Sequence, residues 1–165
     1  MGARVTATSE EFRPLWETRR ARPPAVSTSS GGGRTEQFLL TLTGLLPLVY
    51  EQAWQTVLGS GFHLQVIDWR ATRPAVQDVR LAERLAQEAA AWPPLGQGPK
   101  TRATLIRRDD RTWSFAWRYP RELMDRAAGL ALLDQATEAY AVLLRGGTPG
   151  RGQDADRPLA GRVNR

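Results

Sequence analysis

The segment from 101 to 119 constrains the fold of this chain more than any other. It reads TRATLIRR, then DDR, then TWSFAWRY. Trp113, Phe115, Trp117 and Tyr119 fall on every second residue, so an extended strand places all four on one face. Burying that face contributes on the order of 2–3 kcal/mol per ring. The opposite face carries Thr112, Ser114 and Arg118, which make a poor core, so the aromatic face must be the buried one. A two-residue turn favours Asn-Gly or Asp-Gly, and no glycine is present. A three-residue loop at 109–111 instead sets Leu105 opposite Phe115 and Ala103 opposite Trp117, which gathers the apolar side chains on one face.

The rest of the chain supplies elements to cover that hairpin. Phe38, Leu39, Leu42, Leu45, Leu46, Val49, Tyr50, Ala53, Trp54 and Val57 recur at three- and four-residue spacing, which predicts a helix over 35–58 kinked near Pro47. Gly59-Ser60-Gly61 ends it, and FHLQVIDW over 62–69 alternates as a strand. A second helix is predicted over 75–92 behind Pro74, and a third from Pro120 to about 145, with Glu122 and Asp125 near its start. The expected fold is therefore a single α+β domain of order α-β-α-β-β-α. Its sheet is small and mostly antiparallel, with the helices packed on one face.

Charge divides the chain into three parts. Residues 1–35 hold six arginines against three glutamates, and 145–165 hold five arginines against two aspartates. The middle, 36–144, has twelve basic and twelve acidic residues, so the whole formal net charge of +6 sits at the two ends. All 23 basic residues except Lys100 are arginine, a bias that matches GC-rich coding better than selection for phosphate contacts. Pro, Ser and Gly dominate 19–34 and the stretch after 146. Residues 1–34 are accordingly expected as a disordered arm, 35–145 as the domain and 146–165 as a disordered tail. The uncharged run 37–50 is too short to span a bilayer and contains Pro47, so no membrane segment and a cytoplasmic location are expected.

Chemistry-bearing residues are sparse. The chain has no cysteine, which excludes disulfides, thiolate metal sites and cysteine nucleophiles, and a single histidine, His63. Asp109 and Asp110 sit in a turn, where paired carboxylates diverge. Gly31–Gly33 lacks the Lys-Ser/Thr of a phosphate loop. The expectation is a protein that is not an enzyme and takes no metal or cofactor. The hairpin's outward face holds Arg102 opposite Arg118, with Arg108 and Arg111 nearby. A neighbouring strand adds His63 and Trp69 to that face. Either Asp68, Asp109, Asp110 or Glu122 neutralises this cluster locally, or these six residues form a binding face for an acidic protein partner. An edge strand leaves a homodimer open.

Two resemblances bear on this face. RTWSFAW resembles the RNP1 core of RNA-recognition domains at Arg111, Trp113, Ser114 and Phe115, and departs from it at Thr112 and Arg118. The helix, strand, helix and tryptophan-rich hairpin ending in Tyr119-Pro120 are similar in outline to small bacterial immunity and secretion-chaperone-like proteins. That likeness implies a non-catalytic adaptor, immunity or chaperone-like interaction domain. The alternative is a nucleic-acid-binding protein that uses the arginine-rich ends together with the same hairpin face.

Overall fold

The structure, a computed structural model, describes residues 34–150. The proposed arm up to 33 and the tail from 151 lie outside the described residues. Strand β1 (Thr35–Thr43) leads to helix α1 (Pro47–Leu58), strand β2 (Leu64–Asp68) and helix α2 (Pro74–Ala90). Strands β3 (Arg102–Arg107) and β4 (Thr112–Pro120) form the hairpin, and helix α3 (Arg126–Leu144) follows. The fold is the expected α+β domain, with one more strand at its head. The four strands make a mixed sheet in the order β1-β4-β3-β2. β1–β4 and β3–β4 are antiparallel, and β2–β3 is parallel.

The hairpin takes the three-residue register, with Arg102 opposite Arg118, Ala103 opposite Trp117 and Leu105 opposite Phe115. Asp109 stabilises the turn by accepting from the N–H groups of Arg111 (2.8 Å) and Thr112 (2.7 Å). Phe115, Trp117 and Tyr119 are fully buried and Trp113 nearly so. Trp54 of α1 packs on Trp117 at 4.7 Å, Phe62 at 5.4 Å and Phe115 at 5.6 Å between ring centroids. α3 approaches the same face so closely that a Cβ on Gly129 would run into the hydroxyl and ring of Tyr119. The aromatic face is the core, under α1 and α3.

Three expectations need correction. The helix over 35–58 exists only in its second half. Phe38, Leu40 and Leu42 satisfy strand alternation as well as a helical stripe, and a run apolar on both faces does not separate the two periods. Threonines at 35, 41 and 43 favour the strand, Gly44 turns at φ +66°, and Pro47 opens α1. Secondly, Pro120 ends β4 rather than starting a helix. α3 begins six residues later behind Asp125, whose carboxylate caps it by accepting from the Ala128 N–H at 2.7 Å.

Thirdly, the helices do not all pack on one face. β1, β2 and β3 run parallel, so α1 carries the chain across the sheet from β1 to β2, and α2 carries it back from β2 to β3. Crossovers of one hand that travel in opposite directions lie on opposite faces. α2 accordingly covers the face opposite the aromatics, where Ile106, Thr104, Ser114, Ala116 and Arg118 are buried. Among the described residues, no helix is long and apolar enough to cross a membrane.

Candidate functional site

The arginine face expected to meet a partner lies largely beneath α2. Arg108 is ion-paired with Asp78 of α2, donates its Nε–H to Gln77 at 2.6 Å, and reaches the Ser114 hydroxyl at 3.3 Å. Arg118 is 6 % exposed and donates to Thr35 Oγ1 (2.8 Å), to the Leu85 carbonyl (3.0 Å) and to the Gln37 amide oxygen. Burial pushes its pKa below the ordinary arginine value, and the charge of Glu88 opposes that shift. Among the described residues no carboxylate pairs with it directly, so neutral oxygens solvate this charge. Arg102 stays exposed and stacks over Trp92 at 5.1 Å. Arg111 is exposed in the hairpin turn.

Trp69 is half-buried, and its backbone rather than its ring is the part engaged. Its N–H donates to the Arg107 carbonyl at 2.9 Å, and its carbonyl accepts from Gln77. Of the four carboxylates expected to neutralise the arginines, Asp68 and Asp110 instead bind Arg70, at 2.8 and 3.1 Å, and Asp110 lies 3.9 Å from Arg107. Asp78, the residue that does pair with Arg108, belongs to a helix that the sequence placed on the far side.

His63 leaves the arginine face altogether. Its ring is 82 % exposed and turns toward α1, with Nδ1 3.8 Å from Glu51 Oε1. Glu51 and Gln55 stand one helical turn apart on α1. Gln55 Nε2 donates to the Phe62 carbonyl at 3.1 Å, which pins the chain immediately before His63. Stacking of Phe62 on Trp54 pins it from the other side. Glu51 is 24 % exposed, so its carboxylate is partly withdrawn from water while the imidazole it faces is open. A histidine with Nδ1 toward a carboxylate presents Nε2 as its basic nitrogen, an arrangement able to accept a proton. Sequence reasoning missed Glu51 and Gln55. Their four-residue spacing ahead of the glycine turn into Phe62-His63 was the available signal.

The six predicted residues thus divide into a buried Arg118 and a half-buried Arg108 against α2, two exposed arginines (Arg102, Arg111), a half-buried Trp69, and His63 on the α1 side. They do not form one surface. Among the described residues, no group of three or more His, Asp or Glu is placed to hold a metal ion.

The sequence matches no protein-family model and no curated protein. Solved structures do match. About 73 % of this chain superposes on 36 % of the starter condensation domain of rhizomide synthetase RzmA, with a TM-score of 0.62 and 18 % identity. A variant of that domain in complex with C8-CoA matches at a TM-score of 0.59, 18 % identity, over 71 % of this chain and 32 % of the other. A condensation domain that mediates chain release from the enacyloxin polyketide synthase matches at 0.53 and 13 % identity, over 64 % and 25 %. This chain therefore spans about a third or less of the length of the structures it resembles.

The likeness is one of fold, to condensation domains of synthetases and synthases. It overturns the expected non-catalytic adaptor, immunity or chaperone-like domain with an acidic partner, and the nucleic-acid alternative with it. Both drew on a hairpin face whose Arg108 and Arg118 are in fact engaged by α2, and most of the arginine-rich ends that the alternative also used lie outside the described residues.

Proposed function

We propose that this chain carries part of a condensation-type acyl-transfer fold, binds an acyl thioester, and uses His63 as a proton acceptor. The observation that carries this reading is the superposition of about 73 % of the chain on a starter condensation domain. The ligand class is suggested by the neighbour structure that holds C8-CoA. The pairing of His63 with Glu51 supports the assignment of the base. Transfer from a thioester needs a nucleophile to lose a proton as it attacks the acyl carbon. An amine nitrogen forms the new C–N bond, its proton passes to Nε2 of His63, the C–S bond breaks, and the departing thiolate takes the proton back. General-base assistance of this kind contributes about 10²–10⁴-fold. Glu51 stabilises the imidazolium that forms in between.

The test uses octanoyl-CoA as the probe. Titration into the full chain, followed by calorimetry, is expected to give saturable binding, with free CoA binding more weakly. With an amino-acid amide as acceptor, thiol release is expected to fall about 10²-fold in His63→Ala while octanoyl-CoA still binds. Absence of saturable binding up to about 1 mM, or thiol release in His63→Ala at the wild-type rate, overturns the reading.

A further inference from the structure

Among the described residues the sheet has two open edges, and they differ in how well they are protected. β2 spans five residues and ends at Asp68, inside the ion network with Arg70 and Asp110. Short, charged edges resist pairing. β1 spans nine residues and pairs one-to-one with β4 along its whole length, without a bulge. From Gln37 to Thr43 it has no charge and no proline. The strand itself thus has neither the shortness, the bulge, the proline nor the central charge that protect an edge.

Two flanking hydrogen bonds show which of its backbone groups turn away from β4. Arg121 N donates to the Arg34 carbonyl at 2.7 Å, and Gly44 N donates to the Arg111 carbonyl at 2.8 Å. Even-numbered residues therefore make the hydrogen-bonded pairs with β4. Alternation turns the N–H and C=O of Thr35, Gln37, Leu39, Thr41 and Thr43 outward along the open edge.

We propose that β1 is a dimer edge whose occupant is β1 of a second copy, paired antiparallel about a two-fold axis perpendicular to the sheet. That axis keeps each face on its own side, so residues of equal parity must oppose one another. With Leu39 on the axis, Gln37 meets Thr41 of the second copy and Phe38 meets Leu40 of the second copy. From Gln37 to Thr41 polar groups face polar groups and apolar groups face apolar groups; further out Thr35 meets Thr43 and Glu36 meets Leu42, and no like charges oppose. Glu36, the one charge within the strand, is already held by Arg126 at 2.6 Å and Arg121 at 3.4 Å. The outward groups of the odd residues become the new ladder, which joins the two four-stranded sheets into one. This inference does not rest on the proposed acyl-transfer role.

Light scattering of the full chain after size exclusion, at about 100 μM, is expected to give twice the chain mass. Thr41→Pro removes an outward N–H and no bond to β4, so it is expected to keep the circular dichroism of the parent and weaken the dimer at least tenfold. Should Thr41→Pro not fold, Leu39→Lys serves instead, because it sets two ammonium groups against each other across the axis. A monomeric parent overturns the proposal, and so does a folded variant that stays dimeric. A monomer whose Gln37, Leu39 and Thr41 amides resist hydrogen exchange also overturns it, since the edge is then covered by the chain's own segments.

Discussion

Gln77 is 2 % exposed, and every polar atom of its side chain is engaged. Its Nε2 donates to the carbonyls of Trp69 (2.8 Å), Thr72 (2.9 Å) and Arg108 (3.0 Å), and its Oε1 accepts from Arg108 Nε. One amide thus ties the turn before α2 to the end of β3. In sequence it is a polar residue beside Val76 in a helix whose apolar stripe avoids it, and nothing local marks it as interior. Removing it takes a donor from the Thr72 and Arg108 carbonyls and an acceptor from the Arg108 Nε–H, while the Trp69 carbonyl keeps the Thr72 N–H at 2.8 Å, and unsatisfied buried groups cost more than the bonds themselves contribute. Gln77→Leu is expected to lower stability by about 2–3 kcal/mol, read as a shift in the urea midpoint at unchanged slope. Arg108 illustrates the same gap. Its charge was legible, and its partial burial against Asp78 and Gln77 depended on where a helix 30 residues earlier in the chain came to rest.

At the scale of elements, the register of β3 and β4 was legible. Alternating aromatics and a turn without glycine leave one sensible register, and the structure has it. β1 was not legible, because Phe38, Leu39, Leu40 and Leu42 are compatible with both periods and only β4 decides between them by needing a partner for its outer edge. The link from β2 to α2 carries a further consequence. Arg70, just past β2, donates to Asp68 through its side chain and its N–H, and this holds the Asp68 carboxyl at about 2, below its ordinary 3.8. A carboxylate with a lowered folded pKa contributes stability above its ordinary value and loses that contribution as pH falls toward 2. The stability gap between the parent and Asp68→Asn is therefore expected to close as pH drops from about 5 to about 2. Urea midpoints taken across that range check it, and a gap independent of pH would contradict it.

At the scale of the whole molecule, the aromatic layer holds the two-faced sheet to its helices. Trp54 is fully buried and touches rings from α1, β4 and the turn into β2 at once. Trp54→Ala is expected to cost about 3–5 kcal/mol and to unfold the chain cooperatively, so far- and near-ultraviolet dichroism should be lost in one transition. Loss of near-ultraviolet signal alone would mean that the layer packs the side chains without holding the elements together.

What the sequence determined by itself follows from rules that act over a few residues. Alternation made the hairpin and chose its aromatic face as core, glycines placed the end of α1 and Pro74 the start of α2, and charge counting located the excess at the chain's ends. The tertiary structure alone decided which face α2 covers. That outcome depends on the direction in which the chain crosses the sheet, and handedness converts direction into a face. It also decided the fate of the candidate site. Arg118 became an interior group and Arg108 a half-buried one because a returning crossover passed over them, and His63 came to face Glu51 because Gln55 and Trp54 fix the turn before it. Side-chain chemistry is local, but accessibility is set by elements distant in the chain.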